Sequence, residues 1–540
     1  MHVHRSRMAV AAALALWTGL APAGADPLPD LCSAPEADPA ALARADLALK
    51  NTPGRKAATV STLNNEVVVL EYNSVYDVHT AADPSKPLNS QSGSWQTQTL
   101  LADLEGRVDR TKYDFVLFYS LSELPGWIHA GVRNTYPARN IGITSVIANS
   151  PPVVASWTRL RGTPHMNSAE FIDANPNANA PGTPGVYVAM HEMGHYWNVY
   201  WAQNSPGPRG WNTTMPVAWL AGASGHWGYV FSPQSDAGIM YSAALSPYFT
   251  HFDLYAMGLM PYAEANAATY RVHEDVIGPN PPSYAFKLDD LIASIKLAGT
   301  AEGDGRRIPA TDPTATDINV LVVAVKGKDQ TLTPRAANLL LTIAHELPVR
   351  WSIATRGRSV LSTALYPAAG TSIQTVSVYE FYNAALNRYF RTANADEAQY
   401  LRTTPATGEA ETGKTFKAWV RGAYPAGANP VCRFYGSLNP GPNSHFYTAA
   451  SAECNQLKLL QAATPGTQRR WNYEEIAFAA KEPVNGACPA DAPNPVRRVY
   501  NNGYTLNKDS NHRLVLDTAT YNAMIAQGWA GEGVVLCAPN

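Results

Sequence analysis

The sequence predicts an α+β fold in two parts: a mixed β-sheet packed on one central helix, then a β-rich module of three repeats. Three observations support this prediction. Apolar patterns of strand type and helix type alternate before residue 370. The pentad His-Glu-Met-Gly-His at 191–195 follows an apolar run. Beyond residue 376, one pattern of aromatic residues occurs three times.

The first part of the chain is predicted to form the sheet and its covering helices. Strand patterns lie at 66–72, 113–120, 141–148 and 318–325, and helix patterns lie at 96–109, 288–297 and 334–361. The stretch 151–184 is rich in Pro, Asn and Gly and is predicted to be loop. This order of elements suits a mixed sheet packed on the helix that contains the pentad.

The pentad has the HExxH spacing, which predicts a metal site. On an α-helix, positions i and i+4 lie about 40° apart, so His191 and His195 present two imidazoles to one ion. Glu192 then faces the same cleft, where a carboxylate takes up and returns a proton during hydrolysis. These residues predict a zinc hydrolase, with His191 and His195 as ligands and Glu192 as general base.

A catalytic zinc ion generally has three protein ligands, so a residue after His195 must supply the third. No glutamate occurs between His195 and Glu264, which disfavours a Glu ligand on the next helix. Four candidates remain, namely His226, Asp236, His251 and Asp253. We prefer His226, because a histidine preceded by glycine in a loop can be oriented freely.

A second His-Glu pair occurs at His345-Glu346, inside the predicted helix 334–361. Position 349 is Val, so no second histidine follows at the required spacing. We interpret this pair as structural.

The N-terminus and the overall charge predict an exported protein. Basic residues, an apolar run and small residues follow one another over residues 1–25, as in a signal peptide cleaved after Ala25. Cleavage takes the formal net charge from −2 to −4, which gives no electrostatic reason to bind nucleic acid. No later segment is long and apolar enough to cross a bilayer. We predict an N-terminal segment at 26–60, a catalytic domain at 61–370 and the repeat module at 377–540.

The cysteines support the division into two parts. Four of the five fall in the last 110 or so residues, where an oxidising compartment allows two disulfides. We favour the pairs Cys432–Cys454 and Cys488–Cys537, because the first lies within one repeat and the second brackets the next. Cys32 is left over.

The repeat module has a period of roughly 50 to 65 residues. Its units open with the tripeptides at 381–383, 434–436 and 499–501, and their middles align at 387–390, 444–447 and 511–514. The segments 416–419, 471–475 and 529–533 align later in the units. Three such units predict a closed pseudo-threefold β-rich module, of which a β-trefoil is one version. A carbohydrate or cell-surface ligand and a purely stabilising role both remain open for it.

Over about residues 60–365 the chain resembles zincin metallopeptidases, and in particular a set of secreted bacterial putative peptidases. The shared features are the HExGH helix, the dipeptide His226-Trp227 and the segment 252–259. The resemblance implies that Met240 forms the floor of the metal site and that Tyr241 or Tyr248 stabilises the oxyanion. The C-terminal repeats resemble a three-unit repeat of unknown function that is attached to many exported bacterial proteins.

Together these observations predict a secreted zinc-dependent endopeptidase that acts on extracellular proteins and has a C-terminal accessory module. The expected catalytic residues are Glu192 and Tyr241, and the expected zinc ligands are His191, His195 and His226. Two alternatives stay open: an exported binding protein or adhesin with a structural or degenerate metal site, and a zinc hydrolase of a non-peptide substrate.

Overall fold

The computed structural model describes residues 57–79, 83–91, 95–124, 129–134, 157–174, 184–194, 229–231, 241–245, 249, 251–268, 270–273, 283–289, 313–436, 441–506 and 508–540. The predicted signal peptide, Cys32 and the predicted strand 141–148 lie outside these residues. The described part is mixed α and β, with several sheets and a β-rich C-terminal region.

The N-terminal region contains eleven of the described strands and six of the described α-helices. In chain order they are β1 (Thr59–Leu63), β2 (Val67–Tyr72), α1 (Thr97–Leu104), β3 (Phe115–Ser120), β4 (His129–Asn134), β5 (Gly162–Met166), α2 (Ala169–Ala174), α3 (Pro184–Gly194), β6 (Tyr229–Phe231), β7 (Tyr241–Leu245), α4 (His251–Ala256), α5 (Tyr262–Ala267), β8 (Tyr270–His273), β9 (Ser283–Phe286), β10 (Asp317–Gly327), α6 (Pro334–Ala354) and β11 (Val360–Ser362).

The main sheet is mixed, as the sequence predicts. Its strand order is β1-β2-β10-β3-β5-β4, and β11 pairs with the start of β10. The central strands β2, β10, β3 and β5 are parallel, whereas β1 and β4 pair antiparallel at the two ends. Because helices cover both faces, β2, β3 and β10 are continuous apolar runs. These runs explain why the strands at 66–72, 113–120 and 318–325 are recognisable from sequence, and all three are confirmed.

The two faces of the sheet bury different helices. Phe115, Leu117 and Tyr119 on β3 point into a core shared with α3 and α6. Val116 and Phe118 point to the other face, which packs on α1. Side chains alternate along a strand, so β3 divides its residues between the two cores. The helix with the pentad therefore lies on the same face of the sheet as α6.

Two predictions for this region are wrong, and the helix predicted at 96–109 ends early, at Leu104. The stretch 151–184, predicted as loop, contains β5 and α2. The helix predicted to reach residue 361 ends at Ala354. There Arg356 adopts a left-handed φ of 55°, and the Gly357 amide donates to the Ser352 carbonyl at 2.8 Å. These bonds form a helix C-cap that stops the helix, and the chain then enters β11.

The C-terminal region consists of three units, each with two strands, a helix and a third strand. The first unit has β12 (Thr375–Asn383), β13 (Arg388–Thr392), α7 (Ala395–Thr403) and β14 (Glu409–Trp419). The second has β15 (Asn429–Gly436), β16 (His445–Thr448), α8 (Ser451–Ala463) and β17 (Trp471–Ala480), and the third has β18 (Asn494–Tyr500), β19 (His512–Val515), α9 (Thr518–Ala526) and β20 (Ala530–Ala538). A β-trefoil is not confirmed, because every unit includes a helix.

The strand register corrects the alignment of the repeats. Tyr382 pairs with Tyr389, Tyr435 with His445, and Tyr500 with His512. The equivalent residues are thus Tyr389, His445 and His512, and the sequence alignment is displaced by one residue in the first unit. The third strands begin at 409, 471 and 530, so the alignment of 416–419 with 471–475 is also wrong.

Ion pairs between neighbouring units close the module. The first and second units are joined by Glu397 and Arg433, whose oxygen and nitrogen lie 3.0 Å apart. The second and third units are joined by Glu453 and Arg498 at 3.0 Å. The third unit returns to the first through Arg513 and Glu380 at 2.8 Å. Ion pairs therefore link each unit to the next and the third unit back to the first, whereas the pseudo-threefold symmetry stays a prediction.

Both predicted disulfides are confirmed. Cys432–Cys454 joins β15 to α8, and Cys488–Cys537 joins the segment before β18 to β20. The Cα atoms lie 6.0 Å and 5.5 Å apart, within the usual range for a disulfide. Disulfides persist mainly in oxidising compartments, so the pairs are compatible with export. Among the described residues, no helix combines the length and the apolar character that crossing a membrane requires.

Candidate metal site on a buried helix

Helix α3 is enclosed by the core on several sides. Val186, Val188, Ala189, Met190 and Met193 are all almost completely buried and belong to one apolar cluster. The helix packs against α2, α6, β4 and β5. A helix that is apolar on most of its surface is expected to lie inside a domain, so the sequence of α3 explains its position.

The contact between α3 and α6 is close because of one glycine. A Cβ atom on Gly185 would lie 2.8 Å from Cδ1 of Ile343 on α6. Glycine therefore allows the first turn of α3 to pack directly on α6. The position of α3 is set by this contact as well as by the sheet.

Glu192 is the polar residue at the centre of this core. Its side chain is fully buried, and burial raises its pKa well above the usual value for a carboxyl group. Tyr119 on β3 belongs to the apolar cluster of α3, and burial, followed by the charge of Glu192, raises the pKa of its hydroxyl. The Tyr119 hydroxyl is also oriented toward the Gly185 carbonyl, at 3.5 Å. Glu192 and Tyr119 are therefore both buried where α3 packs on the sheet.

Tyr119 was not predicted as a site residue. The available signal was its position: on β3 it shares a face with Phe115 and Leu117, and it alone of the three has a hydroxyl group. A polar group on the face that packs against the pentad helix is a reason to consider Tyr119 as a site residue.

The predicted zinc ligands lie mostly outside the described part. His191 belongs to α3, directly before Glu192, but its side chain is not among the described atoms, and His195 and His226 lie outside the described residues. Tyr241 begins β7, again with the backbone alone described. Asp236, Met240 and Tyr248 also lie outside. The triad of His191, His195 and His226 stays a prediction.

Two of the alternative ligands are described, and both belong to α4. Asp253 is buried, and its neighbours Leu254 and Tyr255 share the apolar cluster of α3. His251 is partly exposed, and burial lowers its pKa. Within the described ranges, no three His, Cys, Asp or Glu side chains are grouped closely enough to hold a metal ion. Asp253 is therefore the alternative with the better-enclosed side chain.

The last strand of the described sheet lies beside α3. Strand β4 pairs antiparallel with β5 and packs against α3. Among the described strands, β4 is the outermost at this end of the sheet, and it lies next to the pentad helix.

Comparison with known families finds one match, at the C-terminus. The family described as "Domain of unknown function (DUF5648)" matches residues 377–539. This range contains nearly all of the three units. No curated protein and no solved structure matches the chain.

Proposed function

We propose that this chain is an exported zinc-dependent endopeptidase of the zincin type that hydrolyses peptide bonds of extracellular proteins. The observation that carries the proposal is the fully buried carboxyl group of Glu192. It lies in an HExxH pentad on a helix packed against a mixed sheet. A buried carboxyl group with a raised pKa, placed in a motif with metal-ligand spacing, is typical of a functional site.

The donor set of the pentad region fits zinc. Imidazole and carboxylate groups are typical zinc ligands, and a catalytic ion is usually held by three of them. His191 and His195 supply two imidazoles, and His226 is the preferred third ligand, with Asp253 as the enclosed alternative. Zinc, when bound, supplies a Lewis acid that polarises the scissile carbonyl and makes water acidic.

The chain's own residues have the following proposed roles. Glu192 acts first as general base and then as general acid, passing the proton to the leaving amine. Tyr241 donates to the negative charge that develops on the carbonyl oxygen. Strand β4, the outermost described strand at this end of the sheet, binds the substrate in extended form by backbone hydrogen bonding. The buried surroundings of α3 hold Glu192 in a fixed orientation for these steps.

The proposal is tested by the metal dependence of cleavage. The mature chain is purified, its zinc content is measured, and cleavage of unfolded casein is followed with chelator and after zinc is restored. We expect about one zinc ion per chain, loss of cleavage with chelator and recovery with zinc. A chain that binds zinc without water exchange at the metal and cleaves nothing would instead be a binding protein with a structural site, which is closed by four protein ligands.

The third ligand is tested separately. His226→Ala is compared with Asp253→Asn and His251→Ala for zinc content after dialysis. We expect a large loss of zinc in His226→Ala alone. Retention of zinc in His226→Ala with loss in Asp253→Asn would assign the third ligand to α4.

A further inference from the structure

The C-terminal module docks on the N-terminal region through a defined set of residues, which we term the seam. On the N-terminal side the seam consists of residues 65–66, His345 and 361–365. On the module side it consists of residues 421–424, Lys458, Tyr473 and 475–476.

The turn between β14 and β15 inserts into the N-terminal region. Arg421 donates to the Glu66 carboxylate, and to Glu475 and the Ile476 carbonyl at 2.9 Å each. The Tyr424 hydroxyl donates to the Leu365 carbonyl at 2.9 Å. Arg421 and Tyr424 therefore connect the module to two separate segments of the N-terminal region.

Gly422 lies between these two contacts. Its φ of +67° favours glycine, and a Cβ atom there would lie 2.5 Å from Cδ2 of Leu365 and 3.3 Å from the Asn65 carbonyl oxygen. The turn thus approaches the N-terminal region so closely that a side chain at this position would force the buried Leu365 side chain to shift.

The second unit of the module has the same turn without the contact. Val420 and Ala423 form a bridge around the first turn, and Val484 and Ala487 form a bridge around the second. Gly486 has a φ of +78°, but a Cβ atom added there would have no heavy atom within 4 Å. The close approach is therefore specific to the first unit and is not a property of the repeat.

Helix α8 provides the second half of the seam. Lys458 is almost completely buried, with Nζ 3.4 Å from the Leu361 carbonyl oxygen and 4.3 Å from the centre of the Tyr473 ring. A lysine on an exposed helix face keeps its ammonium group in water. The burial of Lys458 shows that α8 is covered where it packs on α6 and β11.

A charged cluster joins the two halves. The Glu66 carboxylate interacts with Arg421 of the module and with His345 of α6. Glu475 pairs with Arg421 at 2.9 Å and with Arg433 at 3.0 Å. A small cleft lies beside this cluster. Glu66 and Arg421 line this cleft and pair across the seam, so the cleft belongs to the contact between the two regions.

Helix α6 lies between the module and α3. His345 faces the seam, whereas Ile343 contacts Gly185 at the start of α3. Leu340, Ile343 and Leu347 share the apolar cluster of α3. Any displacement of α6 is therefore transmitted to α3 through close packing.

We propose that the C-terminal module is an intramolecular brace: it binds α6 through the seam and thereby holds α3 in position. Its partner is the N-terminal region of its own chain. This assigns a role to a module whose family is described as a domain of unknown function. The proposal does not depend on peptidase activity, since it concerns the position of α3 alone.

The test compares Gly422→Ala with Gly486→Ala in the full chain, by amide hydrogen exchange. Both substitutions place alanine at a positive φ, but only the first creates a clash across the seam. We expect exchange in 184–194 and 334–354 to become about tenfold faster or more in Gly422→Ala, because local opening becomes less costly. Exchange in β15 and β18 stays unchanged, and Gly486→Ala resembles the parent at all these amides.

A milder variant keeps the test valid if Gly422→Ala fails to fold. Tyr424→Phe removes one hydroxyl, and with it the bond to the Leu365 carbonyl. A smaller acceleration is expected in the same two helices. Unchanged exchange in α3 and α6 in the folded variants would overturn the proposal, as would equal acceleration by Gly422→Ala and Gly486→Ala.

Discussion

Helices α3 and α6 contain the same dipeptide, His-Glu, in different surroundings. In α3, the side chain of Glu192 is fully buried in an apolar core. In α6, His345 pairs with Glu66 on the N-terminal side of the seam, and Glu346 lies 3.7 Å from Arg350 on the helix surface. The residue four positions after the first histidine is His195 in one helix and Val349 in the other. The comparison teaches that the dipeptide alone does not define a metal site; the second histidine and the enclosed carboxyl group do.

The largest expected difference between the helices is in zinc binding. His191→Ala removes a proposed ligand, whereas His345→Ala removes a partner of Glu66. Loss of an outer partner of a ligand already weakens metal binding 10- to 100-fold, so loss of a ligand is expected to weaken it more than about 100-fold. Zinc affinity measured by competition with a chelator checks this. Equal affinities in the two variants would break the distinction between α3 and α6.

The next largest expected effect concerns the packing between α3 and α6 and is seen in the free energy of unfolding. Ile343→Ala leaves a cavity against Gly185, and truncation of a buried isoleucine typically costs about 2–5 kcal/mol. Urea unfolding measures the free energy of unfolding, with Ile353→Ala at the partly exposed end of α6 as the control. A cost below about 1 kcal/mol for Ile343→Ala would contradict close packing between α3 and α6.

The histidine of α6 should give a pH dependence that α3 does not share. Burial alone would lower the pKa of His345, but the hydrogen bond and charge of Glu66 outweigh it and raise the pKa. Its stabilising contribution is therefore complete below the unfolded pKa, near 6.5, and is lost as pH rises through the folded pKa. Because the side chain is partly exposed, we expect less than about 1 kcal/mol.

The measurement is the free energy of unfolding of the parent and of His345→Gln between pH 5 and 9. The difference between the two proteins should shrink as the pH rises. A difference that grows with pH would contradict the ion pair with Glu66.

The smallest expected effect is that of the surface pair on α6. Glu346 and Arg350 are spaced i, i+4 and are both partly exposed. Arg350→Gln should change the free energy of unfolding by less than about 0.5 kcal/mol. A change above 1 kcal/mol, measured in the same urea titration, would give this pair a structural importance that its geometry does not suggest.

The sequence predicts the elements that are buried on both sides. Strands β2, β3 and β10 are apolar without interruption, and their pattern is recognisable because helices cover both faces. Strand β5 was missed because it is short and contains Pro164, which reads as loop. The end of α6 was missed because the stop signal is Arg356 in a left-handed conformation, which the residue type does not reveal.

The repeats are predictable as a threefold pattern but not in register. The connections between the first two strands run from 383 to 388, from 436 to 445 and from 500 to 512, so unequal lengths displace the alignment. The helices within the units were missed although Asn394 and Asp517 accept backbone bonds as N-caps. Contacts between the two regions, such as Arg421 with Glu66, depend on the fold and have no local signal.

For the candidate site, the sequence identifies α3 and Glu192 but not their surroundings. The pentad specifies one helical turn, and its spacing alone predicts two ligands and a carboxylate. Tyr119 approaches the Gly185 carbonyl, and Gly185 approaches Ile343 of α6, only because α3 packs between the sheet and α6. The identity of the third ligand depends on where the chain after α3 comes back to this helix, and no periodic pattern in the sequence predicts that position.

The most direct test of the account is the turnover of Glu192→Gln compared with Glu346→Gln. Both substitutions replace the glutamate of a His-Glu pair with a neutral side chain of the same shape, and zinc content is measured in both. We predict that Glu192→Gln retains zinc and loses at least about 100-fold in casein cleavage, the scale of general base catalysis, whereas Glu346→Gln cleaves like the parent. Equal cleavage by the two zinc-loaded variants would contradict a catalytic role for Glu192.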